Sequence, residues 1–411
     1  MKVSLVNKPR RIWPIYGAAF AMSISINSWW TSMPFIVRDI GGTKAHVGYA
    51  WAANMTGYLV CLLLAALFLG SHNPRNTTRI SSVVVFISTV VIGVFIYIIL
   101  SQNITGNILL IWLIIISGAI AGGATSLFWP FLMSWVSEDL EGAVLNRRLG
   151  RYNGSWSFSL IIGPVIGGML VEASTFLPVI FTTVAILACF MFLNLTTNGS
   201  VNTTLFDDDN HRNGNASLDM ASIKRFRWMA RVVLFSSWAC IAIARSQFAL
   251  LFTGMGNSET MFGVLIAIFG ICNFTSMIIA GRYPYWHFKP FLLFLAQSAL
   301  AVSLVLIIYG SSIPVFILSF VILGCGFGFA YSSHLFYGAC GTKKRSVQMA
   351  IHEATISSGI IIGSATGGYL AGKFGLYQPY WFALILVAAG FIAQGILRYS
   401  KPDLARVPQL R

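Results

Sequence analysis

The chain has 411 residues, of which 56% are hydrophobic and only 9% charged, and its mean hydropathy is +0.76. A soluble fold carries roughly 25% charged residues because its surface must face water, so this composition excludes one and makes lipid the solvent. The formal net charge of +15 raises the question of a nucleic-acid partner, which the placement of the basic residues answers.

Crossing the hydrocarbon takes about 20 apolar residues as a helix, because every backbone amide must be satisfied within the segment. In chain order that length predicts twelve spans, near 12–36, 46–69, 80–100, 108–134, 150–171, 174–195, 229–253, 261–281, 290–310, 313–338, 348–370 and 377–397. The first apolar run exceeds a signal-peptide core and lacks a small-residue cleavage site, so it reads as a span. The basic residues sit in alternate loops. Lys2, Lys8, Arg10 and Arg11 precede the first span, Arg75 and Arg79 follow the second, and Arg147, Arg148 and Arg151 follow the fourth. Lys224, Arg225 and Arg227 precede the seventh, Arg282 and Lys289 follow the eighth, Lys343, Lys344 and Arg345 follow the tenth, and Arg398, Lys401, Arg406 and Arg411 close the chain. The opposite loops hold little beyond Arg38, Lys44 and Lys373. This is the positive-inside pattern, which places both termini in the cytoplasm and agrees with an even number of spans. The basicity is a topology signal, and no nucleic-acid partner is expected.

Between the sixth and seventh spans runs the only long polar stretch, "TTNGSVNTTLFDDDNHRNGNASLDMASIKRFR". Its composition reads as a linker. It divides the chain into a six-span bundle over 1–195, a cytoplasmic linker over 196–228 and a second bundle over 229–411. The bundles share motifs. "SLIIGPVIGG" at 159–168 and "GIIIGSATGG" at 359–368 repeat Gly163, Gly167 and Gly168 as Gly363, Gly367 and Gly368 at an offset of 200 residues. The fourth and tenth spans also align, matching Gly118 with Gly324, Gly122 with Gly328 and Ser126 with Ser332. Together these matches indicate duplicated halves of parallel orientation. In lipid, small residues at i and i+4 let two helix backbones approach. Gly163, Gly167, Gly363 and Gly367 are therefore packing positions, with Pro164 a bending point in the first half. Static packing and a hinge role are both open on sequence alone.

All six cysteines fall in or at the ends of spans and none forms a CxxC pair, so neither a disulfide framework nor a metal site is expected. The N-x-S/T triplets lie mostly in spans or on the basic side and carry no weight. There is no P-loop, GxSxG or HExxH, no paired carboxylates, and no loop long enough for a nucleotide domain. An enzyme or an ATP-driven pump is not expected, nor is a cofactor.

A charge inside the bilayer costs a few kcal/mol and persists where it faces a cavity or a partner. Arg245 lies within the seventh span in "IARSQFAL". "SINSWWTS" in the first span offers Asn27, Trp29 and Trp30 at similar depth. Trp129 stands beside Pro130 in the fourth, and "AYSSHLFY" in the tenth places Tyr331, His334 and Tyr337 at three-residue spacing. Trp and Tyr rings with a few polar groups suit a ring-bearing or amphipathic solute, and Arg245 favours an anionic group. The alternative for any one aromatic is packing or interfacial anchoring. His352 and Glu353 open "HEATISSG" in the eleventh span, and Glu353 is the one carboxylate well inside a span. A carboxyl beside a histidine can take and release a proton. It could equally be held by the helix N-terminus and pair with Arg345 or Arg148. Asn153 occupies the equivalent place in the first half.

Twelve spans in two halves, a polar linker, and a fifth span carrying Gly150, Ser159 for a Gly, then Gly163, Pro164, Gly167 and Gly168 resemble the major facilitator superfamily over nearly the whole chain. The resemblance implies an all-α membrane protein of 12 transmembrane helices in two pseudo-symmetric six-helix bundles. It implies a cavity lined by the first, fourth, seventh and tenth helices, so Arg245 and Gln247 would face Asn27 and Trp30. The fifth-span pattern is best known from proton-coupled antiporters and leans the direction toward export. The family's loop after the second span, G-x-x-x-D-R-x-G-R-R, is matched by "GSHNPRNTTR", which keeps Gly70, Arg75 and Arg79 but has Pro74 for the Asp and Thr77 for the Gly. The drug antiporters' intramembrane arginine in the fourth span and a first-span acid are missing. The expectation is a monomeric secondary transporter in the cell (inner) membrane, moving a small organic solute by alternating access. Arg245 would anchor substrate charge, Asn27, Trp30, Trp129, Gln247, Tyr331 and His334 would line the site, and Glu353 and His352 would couple protons. An uncoupled facilitator and a transport-inactive scaffold or sensor are the alternatives.

Overall fold

The computed structural model describes residues 13–68, 73–137, 142–196, 220–340, 342 and 345–399. The basic residues before Trp13, Gly70, the linker over 197–219, Lys343, Lys344 and the tail from 400 lie outside the described residues. Twelve long helices follow one another: α1 (Trp13–Asp39), α2 (Lys44–Phe68), α3 (Pro74–Ser101), α4 (Ile108–Ser137), α5 (Gly142–Ala173), α6 (Leu177–Leu195), α7 (Met220–Gly254), α8 (Glu259–Arg282), α9 (Pro290–Tyr309), α10 (Ile313–Ala339), α11 (Arg345–Phe374) and α12 (Gln378–Tyr399). A short 3-10 turn, Pro284–Trp286, sits between α8 and α9. Trp13 and Tyr399 therefore lie at one face of the bundle, here the terminal face, and Asp39 and Lys44 at the distal face.

The local chemistry explains the helix ends. Asn73 caps α3, accepting the Arg75 amide at 3.0 Å, and Pro74 takes the first turn, where no amide hydrogen is needed. Ser258 caps α8 by accepting from the Met261 amide at 3.2 Å. Gly375, at φ +104, turns the chain between α11 and α12. The sequence boundary at 229 moves, because α7 begins at Met220 and residues 220–228 are its first turns. That segment is helical because its cations meet helix C-termini. Arg227 donates from Nε to the Tyr337 carbonyl at 2.9 Å and from Nη2 to the Cys340 carbonyl at 2.6 Å, while Arg225 reaches the Arg398 carbonyl.

Ten of the helices are long and apolar enough to cross a membrane. The two that fall short, α1 and α11, are rich in buried polar groups, including Ser23, Asn27, Thr31, His352 and Ser357. The outside of the bundle is apolar: α3 exposes Ile80, Ile87 and Val94 every seven residues, and α12 exposes Ile385, Ile392 and Ile396. Water would penalise such faces, and hydrocarbon suits them.

One apolar cluster belongs to the first half, and another fills the second and continues into Phe35, Ile36 and Ile96 of the first. In the first, Ile15, Met22, Phe128, Leu132 and Ile186 pack together, and in the second Phe248, Phe252, Phe316 and Phe320 do. The halves meet where α2 packs on α11 and α5 on α8. Glycine makes these contacts possible. A Cβ added at Gly368 would stand 2.8 Å from the Gly48 Cα across the α2/α11 seam, and one at Gly168 would stand 2.5 Å from the Glu259 carbonyl across the α5/α8 seam.

Candidate functional site

The glycine stripe of α11 lies on α7 with constant register. Gly359 meets Phe235, Gly363 meets Ala239 and Gly367 meets Ile243. The same offset brings Glu353 level with Met229, which leaves Arg245 sixteen residues, or about 24 Å, farther toward the distal face. The polar groups between the halves are thus arranged in layers by depth.

At the distal face the halves are fastened. Arg38 donates from Nη2 to Glu259 Oε1 at 3.1 Å across the halves and from Nε to its neighbour Asp39 at 2.9 Å. Asp39 also accepts from Thr175 at 2.8 Å, and Glu172 accepts the Thr260 amide at 2.9 Å. Phe35 and Phe262 meet edge to face at 5.7 Å just beneath. Sequence reasoning placed the gate at Arg75 and Arg79, near the terminal face. The structure instead holds both inside the first half, where Arg79 donates to the Leu193 carbonyl near the end of α6 and the Arg75 backbone completes the Asn73 cap. Pro74, in the place of an aspartate, opens α3 rather than pairing a cation. The one signal for Arg38 was its isolation in a loop otherwise short of basic residues.

Beneath the fastening lies Arg245, half-buried, donating from Nη2 to Asn27 Oδ1 at 3.4 Å. Asn27 is oriented by its own amide, which donates to the Ser23 carbonyl at 2.9 Å. The guanidinium lies over the ring of Trp51, 5.4 Å to the centroid, and Trp51 in turn packs on Trp30 at 4.3 Å. Sequence reasoning named Asn27, Trp30 and Arg245 and missed Trp51, which α2 contributes from a stretch with no charge to mark it. Gln247 is not beside Asn27. It is fully buried in the distal seam, donating to the Lys44 carbonyl at 3.3 Å, because two residues along a helix turn the side chain through roughly 200°.

The deepest layer bridges the halves as well. Tyr58 of α2 donates its hydroxyl to Glu353 Oε2 of α11 at 3.2 Å. Tyr331 and Tyr152 stand within electrostatic reach of Tyr58. Glu353, Tyr58 and Tyr331 are half-buried, nearer the terminal face than Arg245. His352 turns away from Glu353. Its Nδ1 lies 2.8 Å from Nδ1 of His334, and the two rings are fully buried between α10 and α11, with Tyr331 edge-on to His352 at 5.0 Å. His334 is therefore a packing partner of His352 and does not line the cavity, and Tyr337 is buried at the terminal end of the second half, accepting the Phe288 amide at 2.9 Å. Trp129 meets Phe128 edge to face at 5.1 Å and tilts against Trp156 at 6.4 Å.

The glycine motif packs in two directions. Gly163 and Gly167 face α1 within their own half, at Asn27 and Ser28, and Gly168 faces α8 of the other half. Gly363 and Gly367 face α7 within theirs, and Gly368 faces α2. The Pro164 carbonyl receives Gly263 of α8. Between pairs of described residues, the cross-half hydrogen bonds begin at Tyr58 and Glu353 and run from there to the distal face.

The sequence pattern of the Major Facilitator Superfamily matches residues 15–339. Multidrug resistance protein 2 of Bacillus subtilis (strain 168) is 31% identical over 139 residues, 33% of this chain and 34% of that protein, so the match spans about a third of the relative's length. Among solved structures, a bacterial homologue of the iron transporter ferroportin in an inward-facing state superposes with a TM-score of 0.71 at 13% identity, covering 94% of this chain and 98% of that one. A bacterial ferroportin homologue in an outward-facing state superposes with a TM-score of 0.62 at 14% identity, covering 95% and 100%.

Proposed function

The chain belongs to the Major Facilitator Superfamily of membrane transporters, and from that premise we propose a proton-linked secondary transporter that moves a small organic solute by alternating access. The observation that carries the proposal is the bond from Tyr58 to Glu353, because among the described residues it joins the one carboxylate well inside a span and away from the distal face to the opposite half. While the carboxylate is ionised it accepts the Tyr58 hydroxyl and holds α2 on α11. A proton on Glu353 neutralises the acceptor and weakens that bond, since hydrogen bonds to charged groups are about twice as strong as neutral ones. Proton occupancy and separation of the halves are then linked.

By the positive-inside rule the terminal face is cytoplasmic, so the state seen here is sealed outward. The better superposition on an inward-facing structure than on an outward-facing one supports the same assignment. The direction is read as export, on the G-P-x-x-G-G stretch at 163–168 and the partial likeness to a multidrug resistance protein. The His334 and His352 pair lies between α10 and α11, on another face of α11 from Glu353, and reads as a brace for α11, with Glu353 alone carrying the coupling proton.

Proteoliposomes with an imposed pH gradient test this, with radiolabelled organic acids, sugars, nucleosides and amphipathic drugs as solutes. Wild-type protein is expected to accumulate its solute against a gradient. Glu353→Gln is expected to lose that accumulation by at least tenfold while retaining solute exchange at equal pH. Undiminished accumulation in Glu353→Gln would remove Glu353 from the mechanism.

A further inference from the structure

Three buried donors in the Arg245 region lack acceptors. The guanidinium has five N–H hydrogens, and among the described residues it makes one long bond, 3.4 Å to Asn27, and no ion pair. Its Nε is buried without an acceptor. So are the indole Nε1 of Trp51 and that of Trp238, which belong to the same apolar cluster with Trp30 and Met33. The Nε of Arg231 also lacks an acceptor, but its Nη2 donates to Gln348 at 2.8 Å and its guanidinium lies over Trp228, while Arg227 donates to two carbonyls of α10; the contacts of Arg245 are longer and fewer. Buried guanidinium and indole N–H groups without acceptors are unfavourable unless something supplies lone pairs.

Shape narrows what that something is. The guanidinium fork binds a carboxylate through two parallel N–H···O bonds, and it lies against an indole face. Trp30 and Trp51 pack at 4.3 Å with their planes tilted by 41°, and Trp238, a member of the same cluster, meets Phe327 at right angles at 4.9 Å. Asn27 and Trp51 come from the first half and Arg245 and Trp238 from the second, so a molecule held by all four joins the halves directly beneath the distal seal.

We infer that Arg245, Asn27, Trp51 and Trp238 form the substrate site and that the substrate class is an organic anion, a carboxylate attached to a flat apolar ring. The inference rests on the transport reading above and names its solute. The carboxylate takes the Arg245 fork and the indole hydrogens, and the ring lies along Trp51 and Trp30. Arg245 reaches Trp51 and Glu353 reaches Tyr58, seven residues or about 10 Å farther along α2, so substrate and proton occupy separate sites.

The test is a thermal-shift titration of the full-length protein in nanodiscs with matched acid and amide pairs: benzoate against benzamide, 1-naphthoate against 1-naphthamide, and indole-3-acetate against indole-3-acetamide. The acids are expected to stabilise saturably, and the amides at least tenfold more weakly. Arg245→Gln should lose this preference. Arg245→Lys should retain part of it, keeping the charge without the fork, and so controls for misfolding. Trp51→Leu should weaken 1-naphthoate more than acetate. Amides that bind as well as acids, acids that fail throughout the series on folded protein, or acid binding unchanged in Arg245→Gln each overturn the assignment. Failure of the transport reading looks different: acids bind in an Arg245-dependent way, yet proteoliposomes accumulate none of them under a pH gradient.

Discussion

Helices α5 and α11 carry one motif twice, and the differences between the copies separate architecture from chemistry. Gly163, Gly167 and Gly168 do in the first half what Gly363, Gly367 and Gly368 do in the second: two approach the neighbouring helix of the same half, and the third crosses to the other half. One turn and a half from the start of the repeated region the copies diverge. The first has Tyr152 and Asn153, with Asn153 exposed and accepting the Trp156 indole at 3.1 Å. The second has His352 and Glu353, one paired with His334 and the other with Tyr58 of the opposite half. The duplicated fold preserved the small residues because two backbones pack only where side chains are absent, whereas the cross-half carboxylate bond is made in one copy only.

The comparison breaks most visibly at the glycines that cross between halves. Gly168→Leu and Gly368→Leu place bulk against backbone of the other half, at Glu259 and at Gly48. Neither backbone can retreat while the distal face stays closed. Both variants are expected to fold, to favour a distally open state and to lose transport by at least tenfold. Spin labels at Asn103→Cys and Ser311→Cys, on distal loops of different halves, would report the opening as a longer distance. An unchanged distance would show that the glycines do not control the seal.

Asymmetry in chemistry predicts that the coupling cannot be moved. Adding Asn153→Asp to Glu353→Gln should not restore proton-driven accumulation, because residue 153 is exposed and has no cross-half partner among the described residues. Recovery would mean that any acid at this depth suffices.

Within the second half the stripe is graded. An alanine Cβ at Gly363 would lie 2.5 Å from the Ala239 carbonyl, while one at Gly367 would meet side chains alone, Ile243 at 3.0 Å and Pro379 at 3.7 Å. Replacing a helical glycine by alanine gains roughly 0.5–1 kcal/mol where space allows. Gly367→Ala should therefore leave thermal stability unchanged or raised, and Gly363→Ala should lower it. The smallest effect belongs to Arg38→Gln. Side-chain exposures of 44% for Arg38 and 19% for Glu259 leave the pair largely screened, worth about 0.2–1 kcal/mol, or at most about fivefold in the distal equilibrium. The shift should fade as salt is raised.

The order of spans, their number and the two halves were legible in the chain because lipid imposes a length and a composition on every segment separately. The glycine repeat was legible for the same reason: backbone approach requires small residues wherever it occurs. Arg245 and Glu353 stood out because charge in such surroundings is rare. What residue numbers could not convey was partnership. Glu353 looked like a neighbour of His352, yet adjacent residues on a helix point about 100° apart, and only the packing of α2 on α11 delivered Tyr58 to one while α10 delivered His334 to the other. Trp51 carries no charge and no motif, and it joined the site only because α2 crosses in front of Arg245. Gln247 shares a span with Arg245 and ended in the distal seam instead. The sequence determined what each helix is made of and which solvent it needs. The tertiary structure decided which faces of different helices share a layer, since that depends on the rotation and depth of whole helices set by contacts far apart in the chain.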